Sequence, residues 1–185
     1  MSRTPKERML AGELYLADDP EIADDSLKAA ELTAAYTTTA PADRAGRRRI
    51  LEELLGSVGE DVELRQPIRV DYGSQIHVGP RTFANWGLVA ADVVRIDIGA
   101  DVQIGPHVQL LTPTHPIDPD QRRDKWEAGE PITIGDNVWL GGGVIVCPGV
   151  TIGADTVVGA GSVVTKDLPA RVLAVGNPAR VIRRI

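Results

Sequence analysis

The chain is poor in cysteine, in aromatic residues and in histidine, and each scarcity excludes a class of structure or chemistry. Cys147 is the single cysteine among 185 residues, so no disulfide can form within the chain and a cytoplasmic location is expected. Aromatic residues make up 4% of the sequence and hydrophobic residues 43%. This imbalance favours a core of small stacked aliphatic side chains over one built on Phe and Trp. The three histidines leave few ligands for a metal site.

Charge and hydropathy narrow the range of partners. The formal net charge is −6 and the pI is about 5.1, which argues against nucleic acid as the main partner. No apolar run is long enough to span a membrane, and the first residues lead into no apolar signal core. We therefore expect neither a nucleic-acid nor a membrane partner, and one domain with at most a small appendage.

A six-residue repeat runs without a gap from residue 134 to residue 169. Each unit opens with an aliphatic residue, usually followed by Gly, and a small or branched residue tends to stand four places after the opener. Six residues are too few for a hairpin, but they suffice for one short strand and one bend. Three such units close a triangular coil, and neighbouring coils stack. The spacing predicts a parallel β-helix whose buried openers are Ile134, Leu140, Val146, Ile152, Val158 and Val164, continued upstream by Ile98, Ile104 and Leu110.

The segments outside the repeat divide the chain into two predicted units. Residues 1–58 lack the repeat and are expected to form a cap of short helices, at 6–14, at 25–36 and from Pro41 to Gly56. Residues 59–185 form the β-helix, from which a polar, proline-rich loop at 112–131 is expelled and a tail at 170–185 departs. Four arginines of the third helix are interpreted as a solvated face, with phosphate contact as the alternative: Arg44, Arg47, Arg48 and Arg49.

The histidines are the first candidates for chemistry. His77 alternates with aliphatic residues and is expected to point outward from a strand, and His107 falls at a bend of the repeat. His115 stands at the root of the expelled loop, and a histidine is the natural general base for a hydroxyl group. The β-helical γ-class carbonic anhydrases use three histidine ligands, but the closely spaced pair among them has no counterpart here. No metal is predicted.

Several motifs together resemble the hexapeptide-repeat sugar O-acetyltransferases, which include the maltose, galactoside and nodulation enzymes. The central ones are residues 72–79 (YGSQIHVG), Asn85, residues 114–116 (THP) and residues 131–139 (PITIGDNVW). The opening residues 9–15 and the closing residues 158–167 and 176–183 are also similar, so the likeness spans nearly the whole chain. It implies a left-handed β-helix, a homotrimer with active sites between neighbouring subunits, and acetyl-CoA as the acetyl donor.

The resemblance also implies roles for individual residues. His115 is the general base, Asn85 orients or stabilises the reacting groups, and the backbone N–H near Gly142 faces the developing oxyanion. The acceptor hydroxyl attacks the thioester directly. Trp139 packs against the pantetheine arm, with an exposed trimer contact as its alternative role. Further residues are expected to line the cofactor groove (Ala160, Thr165 and Lys166), to meet its phosphates (Arg180 and Arg183) and to bind the acceptor (Asp18, Asp71, Tyr72, Asp92 and Glu127).

On the acceptor side the chain departs from the family pattern. Leu16 and Ala17 stand where an acidic residue is usual, with Asp18 just beyond them, and Val93 follows Asp92. These changes leave the acetyl transfer intact. They do not determine which acceptor receives the acetyl group. The main hypothesis is a sugar hydroxyl, and the alternative is a non-sugar acceptor, such as an amine or the antibiotics modified by xenobiotic acetyltransferases. A non-catalytic trimeric scaffold is disfavoured, because a scaffold has no need of His115 and Asn85.

Overall fold

A computed structural model describes residues 3–185, which form a left-handed parallel β-helix with helices packed at one end. The coil is a triangular prism with three faces, on each of which successive strands pair in parallel. Face I contains β2 (Ser57–Val58), β5 (Ile76–Val78), β8 (Ile96–Ile98), β13 (Ile132–Ile134) and β16 (Thr151–Ile152). Face II contains β3 (Glu63–Leu64), β6 (Phe83–Ala84), β9 (Gln103–Ile104), β14 (Trp139–Leu140), β17 (Val157–Val158) and β19 (Val172–Val175). Face III contains β4 (Ile68–Val70), β7 (Leu88–Ala91), β10 (Gln109–Leu111), β15 (Ile145–Val146) and β18 (Val163–Val164).

The core is the column of side chains that the repeat predicts. All six openers from Ile134 to Val164 are at most 1% exposed, and the positions four places later are buried as well. Two of these later positions are polar, and their hydroxyls donate to backbone carbonyls: Thr156 to Pro169 O at 2.8 Å and Ser162 to Gly159 O at 2.6 Å. A buried hydroxyl is tolerated when it finds such a partner. The predicted β-helix is confirmed.

The chain passes from face I to face II to face III, so three edges run along the prism, named here I–II, II–III and III–I. Edge I–II is a ladder of polar bends. Six non-glycine residues there adopt positive φ, among them Asn137 and Asp155, and side chains bond between coils. Arg81 forms a two-pronged ion pair with Asp101 at 2.7 and 2.6 Å, and Asn137 donates to Asp155 at 2.9 Å. The polar side chains of this edge therefore serve to join neighbouring coils.

Within residues 3–185, four helices lie outside the coil: α1 (Pro5–Leu10), α2 (Pro20–Thr38), α3 (Arg44–Leu54) and α4 (Pro119–Arg123). The predicted bounds of the first three are wrong because the capping residues lie elsewhere. Asp19 caps α2 through Glu21 N at 2.8 Å, and Asp43 caps α3 through Gly46 N at 2.8 Å, so Pro41 precedes the helix without starting it. α1 ends before Gly12, whose φ is +72°.

Helices α2 and α3 cover the open end of the coil. A β-helix ends in strands with unpaired carbonyls, and Arg47 donates to Leu64 O at 2.8 Å, while Arg48 donates to Val58 O at 2.8 Å and Gly59 O at 2.6 Å. The Tyr36 hydroxyl also donates to Leu64 O. The prediction of a solvated arginine face is therefore wrong for Arg47 and Arg48, which satisfy the first coil.

The expelled loop and the tail are more ordered than predicted. Within the loop, β11 (Pro113–Thr114) and β12 (Trp126–Gly129) pair antiparallel, and β12 also pairs with β1 (Tyr15–Leu16) near the N-terminus, which gives a three-stranded side sheet. The tail does not leave the coil at residue 170. β19 pairs in parallel with β17 as a further coil strand, and only β20 (Arg180–Arg184) turns back antiparallel on it.

Candidate active site

Edge III–I carries His115 and most of the predicted acceptor residues. The loop leaves the coil after β10 and returns at β13, and His115 directly follows β11 with its side chain exposed. Thr114 pairs with Ala128 at the end of β11, and His115 directly follows Thr114 in the sequence while Glu127 directly precedes Ala128. Glu127 in turn pairs with Tyr15 of β1, and the Tyr15 hydroxyl donates to its Oε2 at 2.9 Å. Tyr15 and Glu127 thus form one row across the side sheet, and His115 lies one residue beyond the Thr114–Ala128 pair.

Asp71 and Tyr72 stand beside this row, between β4 and β5. Burial raises the pKa of Asp71, and the charge of Glu127 raises it further. Burial also raises the pKa of Tyr72 to about 12, with Asp71 and Glu127 adding to the shift, and it raises the pKa of Tyr15. Both phenols therefore remain protonated near neutral pH. No ion pair between the described residues involves Asp71 or Glu127, so these carboxylates are available to accept hydrogen bonds.

Unlike Asp71 and Glu127, Asp92 has a fully buried side chain. It is 0% exposed, and its carboxylate accepts the backbone N–H groups of Asp71 at 3.0 Å, Tyr72 at 2.9 Å and Gln75 at 3.2 Å. Burial raises its pKa to about 6, against the lowering effect of these N–H groups. The expected contact of Asp92 with an acceptor is thus not seen; the side chain fixes the turn that presents Asp71 and Tyr72. Asp18 is exposed in the turn between β1 and α2.

Edge II–III carries a second group of predicted residues. Asn85 follows β6, Gly142 follows β14 and Ala160 follows β17, and successive coils are joined here by bonds such as Asn85 N to Ile104 O at 2.9 Å. Asn85 Oδ1 accepts its neighbour's N–H, from Trp86 at 2.9 Å, which leaves the amide NH₂ group free to donate. Within residues 3–185 the Gly142 N–H donates to no partner, whereas its carbonyl accepts from Gly161 N at 2.9 Å.

The same edge offers room for an extended ligand. Gly143 and Gly161 have φ values of +68° and +69°, and a Cβ built on either would meet nothing within 4 Å. Trp139 lies on the outer side of face II, next to this edge, and is 56% exposed. At the end of the same face, Arg180 and Arg183 are exposed on β20. An apolar ring, small residues and exposed guanidinium groups suit a long ligand with phosphates at one end.

The structure does not bring all predicted site residues together within one chain. Trp139, Gly142, Ala160 and Asn85 belong to face II and edge II–III, whereas His115 belongs to edge III–I. Thr165 and Lys166 follow β18 and therefore also lie on edge III–I, exposed to solvent. The predicted base and the predicted oxyanion donor thus lie on two different edges of the prism.

The other two histidines are placed elsewhere. His77 points outward from face I, as predicted, and contacts Ser57 Oγ at 2.9 Å and Arg95 at 3.1 Å. His107 is exposed at a bend of edge II–III with φ +58°. Within residues 3–185, no cluster of histidine, cysteine and carboxylate side chains has the arrangement of a metal site. In the same range, no helix is long and apolar enough to cross a membrane.

Tyr15 is the residue of this site that the sequence did not single out. It belongs to the opening motif at residues 9–15, which contributes to the family resemblance but implies no role for Tyr15. Its position opposite Glu127 depends on pairing between strands 112 residues apart, and no local pattern reveals such a pair.

Two family models and a curated relative match this chain. The maltose acetyltransferase hexapeptide capping motif matches residues 8–59, and the bacterial transferase hexapeptide (six repeats) matches residues 131–166. Nodulation protein L of Rhizobium meliloti is 46% identical over 181 residues, which cover 98% of this chain and 99% of that protein.

Solved structures extend the agreement to the whole fold. A maltose O-acetyltransferase from Clostridium difficile 630 superposes with a TM-score of 0.98 at 47% identity, covering 100% of this chain and 99% of that one. A hexapeptide-repeat acetyltransferase from Vibrio cholerae, solved with acetyl coenzyme A, has a TM-score of 0.92 at 36% identity and 98% coverage of both chains. The resemblance is therefore confirmed, and the chain is an acetyltransferase that belongs to the hexapeptide-repeat sugar O-acetyltransferase family.

Proposed function

We propose that the protein transfers the acetyl group of acetyl-CoA to a hydroxyl group of a sugar, at sites between neighbouring subunits of a homotrimer. The observation that carries the proposal is the division of the site. His115 and the carboxylates stand on edge III–I, and Asn85 with the unpaired Gly142 N–H stands on edge II–III. A neighbouring copy of the chain that presents its edge II–III to edge III–I completes the site.

In this mechanism the chain moves one proton and stabilises one charge. His115 removes the proton of the acceptor hydroxyl while the oxygen attacks the thioester carbonyl. The Gly142 N–H donates to the oxyanion that forms, and such a donor contributes roughly 3 kcal/mol to transition-state stabilisation. The C–S bond then breaks, the CoA sulfur takes up the proton from the imidazolium, and the acetyl ester leaves with the acceptor. No acyl-enzyme intermediate is required.

The outer surface of the prism supports the trimer. The outward row of face I is polar along its length, with Ser57, His77, Asp97, Thr133 and Thr151 in register. The outward rows of the other two faces are mixed. Face III presents Arg69, Val89, Gln109, Ile145 and Val163, and face II presents Glu63, Phe83, Gln103, Trp139, Val157 and Leu173. Packing face III of one subunit against face II of the next would bury the apolar members of these rows in a repeating contact that closes as a ring.

A sugar is proposed because its hydroxyl groups can donate hydrogen bonds to carboxylates, which only accept them. Asp71 and Glu127 each accept hydrogen bonds, and Tyr72 is protonated and can donate. An amine acceptor is the second candidate, and one observation favours it: neither carboxylate has an ion-pair partner among the described residues. Both candidates share His115 as the base.

The test is the release of free CoA from acetyl-CoA, followed with a thiol reagent in the presence of different acceptors. The panel contains glucose, maltose, galactosides, chitin fragments and simple amines. We expect release with at least one sugar and none without an acceptor. Release with amines alone would replace the sugar by the second candidate. If titration showed no binding of acetyl-CoA, the proposed reaction would be wrong.

A further inference from the structure

We propose that Tyr15 is a positioning residue of the acceptor site, and that it acts by fixing Glu127 beside His115. The inference rests on the proposed function, because it concerns the acceptor side of the same site. It also makes the N-terminal segment, through β1, a structural part of that site and not only a cover for the coil.

The geometry of the side sheet is the main support. Tyr15 and Glu127 are directly opposed in the β1–β12 ladder, and on its other side β12 pairs with β11, whose last residue, Thr114, directly precedes His115. Directly opposed residues of antiparallel strands point to the same side of the sheet and contact each other. The hydroxyl of Tyr15 donates to Glu127 Oε2 at 2.9 Å, which leaves Oε1 free to accept a hydrogen bond from an acceptor hydroxyl.

Tyr15 is itself rigidly placed. Its side chain is 1% exposed and packs in a small apolar cluster with Met9, Ile22, Val93 and Val94, with Tyr72 at the margin. Val93 and Val94 directly follow Asp92 in the turn of edge III–I between β7 and β8. The ring of Tyr15 is therefore anchored on the coil, and its hydroxyl is the polar atom that links the coil to the loop side chain. A carboxylate on an exposed loop gains a fixed direction from such a partner.

The chemistry of the phenol fits this role. The raised pKa of Tyr15 keeps the hydroxyl protonated near neutral pH, so it serves as a donor. Hydrogen bonds to charged groups are among the stronger ones in proteins, and the loss of one changes an equilibrium by roughly tenfold or more. Removing only this hydroxyl should therefore weaken acceptor binding and leave the acetyl-CoA groove on edge II–III unchanged.

The experiment compares Tyr15→Phe with Tyr36→Phe in the full-length protein. Tyr36 is a matched control because it is also 1% exposed and its hydroxyl serves the helical cap by donating to Leu64 O. We expect Tyr15→Phe to lower kcat/KM for the acceptor about tenfold while KM for acetyl-CoA changes less than twofold. We expect Tyr36→Phe to leave both parameters within twofold, even if it lowers the melting temperature.

A coupling measurement separates positioning from packing. In a Glu127→Ala background, Tyr15→Phe should cause no further loss of kcat/KM, because the two residues act as one unit. Amide hydrogen exchange across residues 113–129 should become about fivefold faster in Tyr15→Phe and stay unchanged in Tyr36→Phe.

These readouts keep the two proposals apart. A wild-type protein that transfers acetyl to no acceptor, yet shows the faster exchange in Tyr15→Phe, would overturn the proposed function and support the positioning of the loop. An active enzyme in which Tyr15→Phe keeps its acceptor kinetics, or in which the two substitutions are additive, would overturn the role of Tyr15.

Discussion

At the scale of single residues, environment separates the three histidines more clearly than sequence does. His77 is tied to Ser57 and Arg95 on face I, and His107 occupies an exposed bend with positive φ. His115 alone stands at the side sheet, directly after the strand that pairs with β12. The sequence predicted this ranking because the loop interrupts an otherwise regular repeat. It could not predict the pairing of Tyr15 with Glu127, which depends on strand pairing at long range.

Replacing His115 by Ala should abolish turnover without changing the fold or acetyl-CoA binding. Loss of a general base lowers kcat by roughly a hundredfold to ten-thousandfold. His107→Asn is the control, because Asn tolerates positive φ and His107 has no assigned role. Steady-state kinetics and an acetyl-CoA titration check both variants. A His115→Ala protein with half the wild-type rate would remove His115 from the mechanism.

Asp92 gives a pH-dependent prediction. Its pKa in the folded protein is about 6, above the ordinary aspartate pKa of 3.8, because burial disfavours the charge. Between these values the folded state binds more protons than the unfolded state, so the contribution of Asp92 to stability falls as pH rises through this window. The loss is on the order of 2–3 kcal/mol and is complete above pH 6.

Asp92→Asn removes this titration. The free energy of unfolding of the wild type minus that of the variant should therefore decrease from pH 4 to pH 6 and then stay level. Denaturant unfolding at several pH values measures the difference. A difference that increases over this range would mean that the backbone N–H groups outweigh burial, and that the folded pKa is lowered.

At the scale of elements, the strands were predictable and the helix ends were not. Each coil strand is fixed by its own six residues, since the opener must be buried and the bend follows at a set distance. Helix ends depend on which Asp accepts a backbone N–H, and no local pattern in the sequence marks Asp19 and Asp43 as the caps. The roles of Arg47 and Arg48 are not predictable locally either, because their partners are carbonyls of the first coil.

The capping role of α3 predicts different costs for two neighbouring arginines. Arg47→Met should lower the free energy of unfolding by about 2 kcal/mol, because Leu64 O and the Tyr36 hydroxyl lose a charged partner at 2.8 and 2.7 Å. Arg49→Met on the exposed side of the same helix should change it by less than about 0.5 kcal/mol. Equilibrium unfolding in urea compares them. Equal costs would show that Arg47 does not cap the coil.

At the scale of the whole molecule, the three edges of the prism carry different kinds of residues. Edge I–II is filled with ion pairs and polar bends, whereas edges II–III and III–I carry the residues assigned to chemistry. The sequence predicted these residues through family resemblance. It could not show that they divide between two edges, because that division depends on which face each six-residue unit reaches. The division is the physical reason for proposing an assembly.

The most direct test of a site shared between subunits is complementation of two inactive variants. His115→Ala and Asn85→Ala are co-expressed so that mixed trimers form, and CoA release is compared with that of each variant alone. In random mixed trimers about a quarter of the sites combine an intact His115 edge with an intact Asn85 edge, because each interface is heterologous. We therefore expect about a quarter of the wild-type activity. Mixed trimers no more active than the parent variants would show that one chain supplies both residues, and the shared site would be wrong.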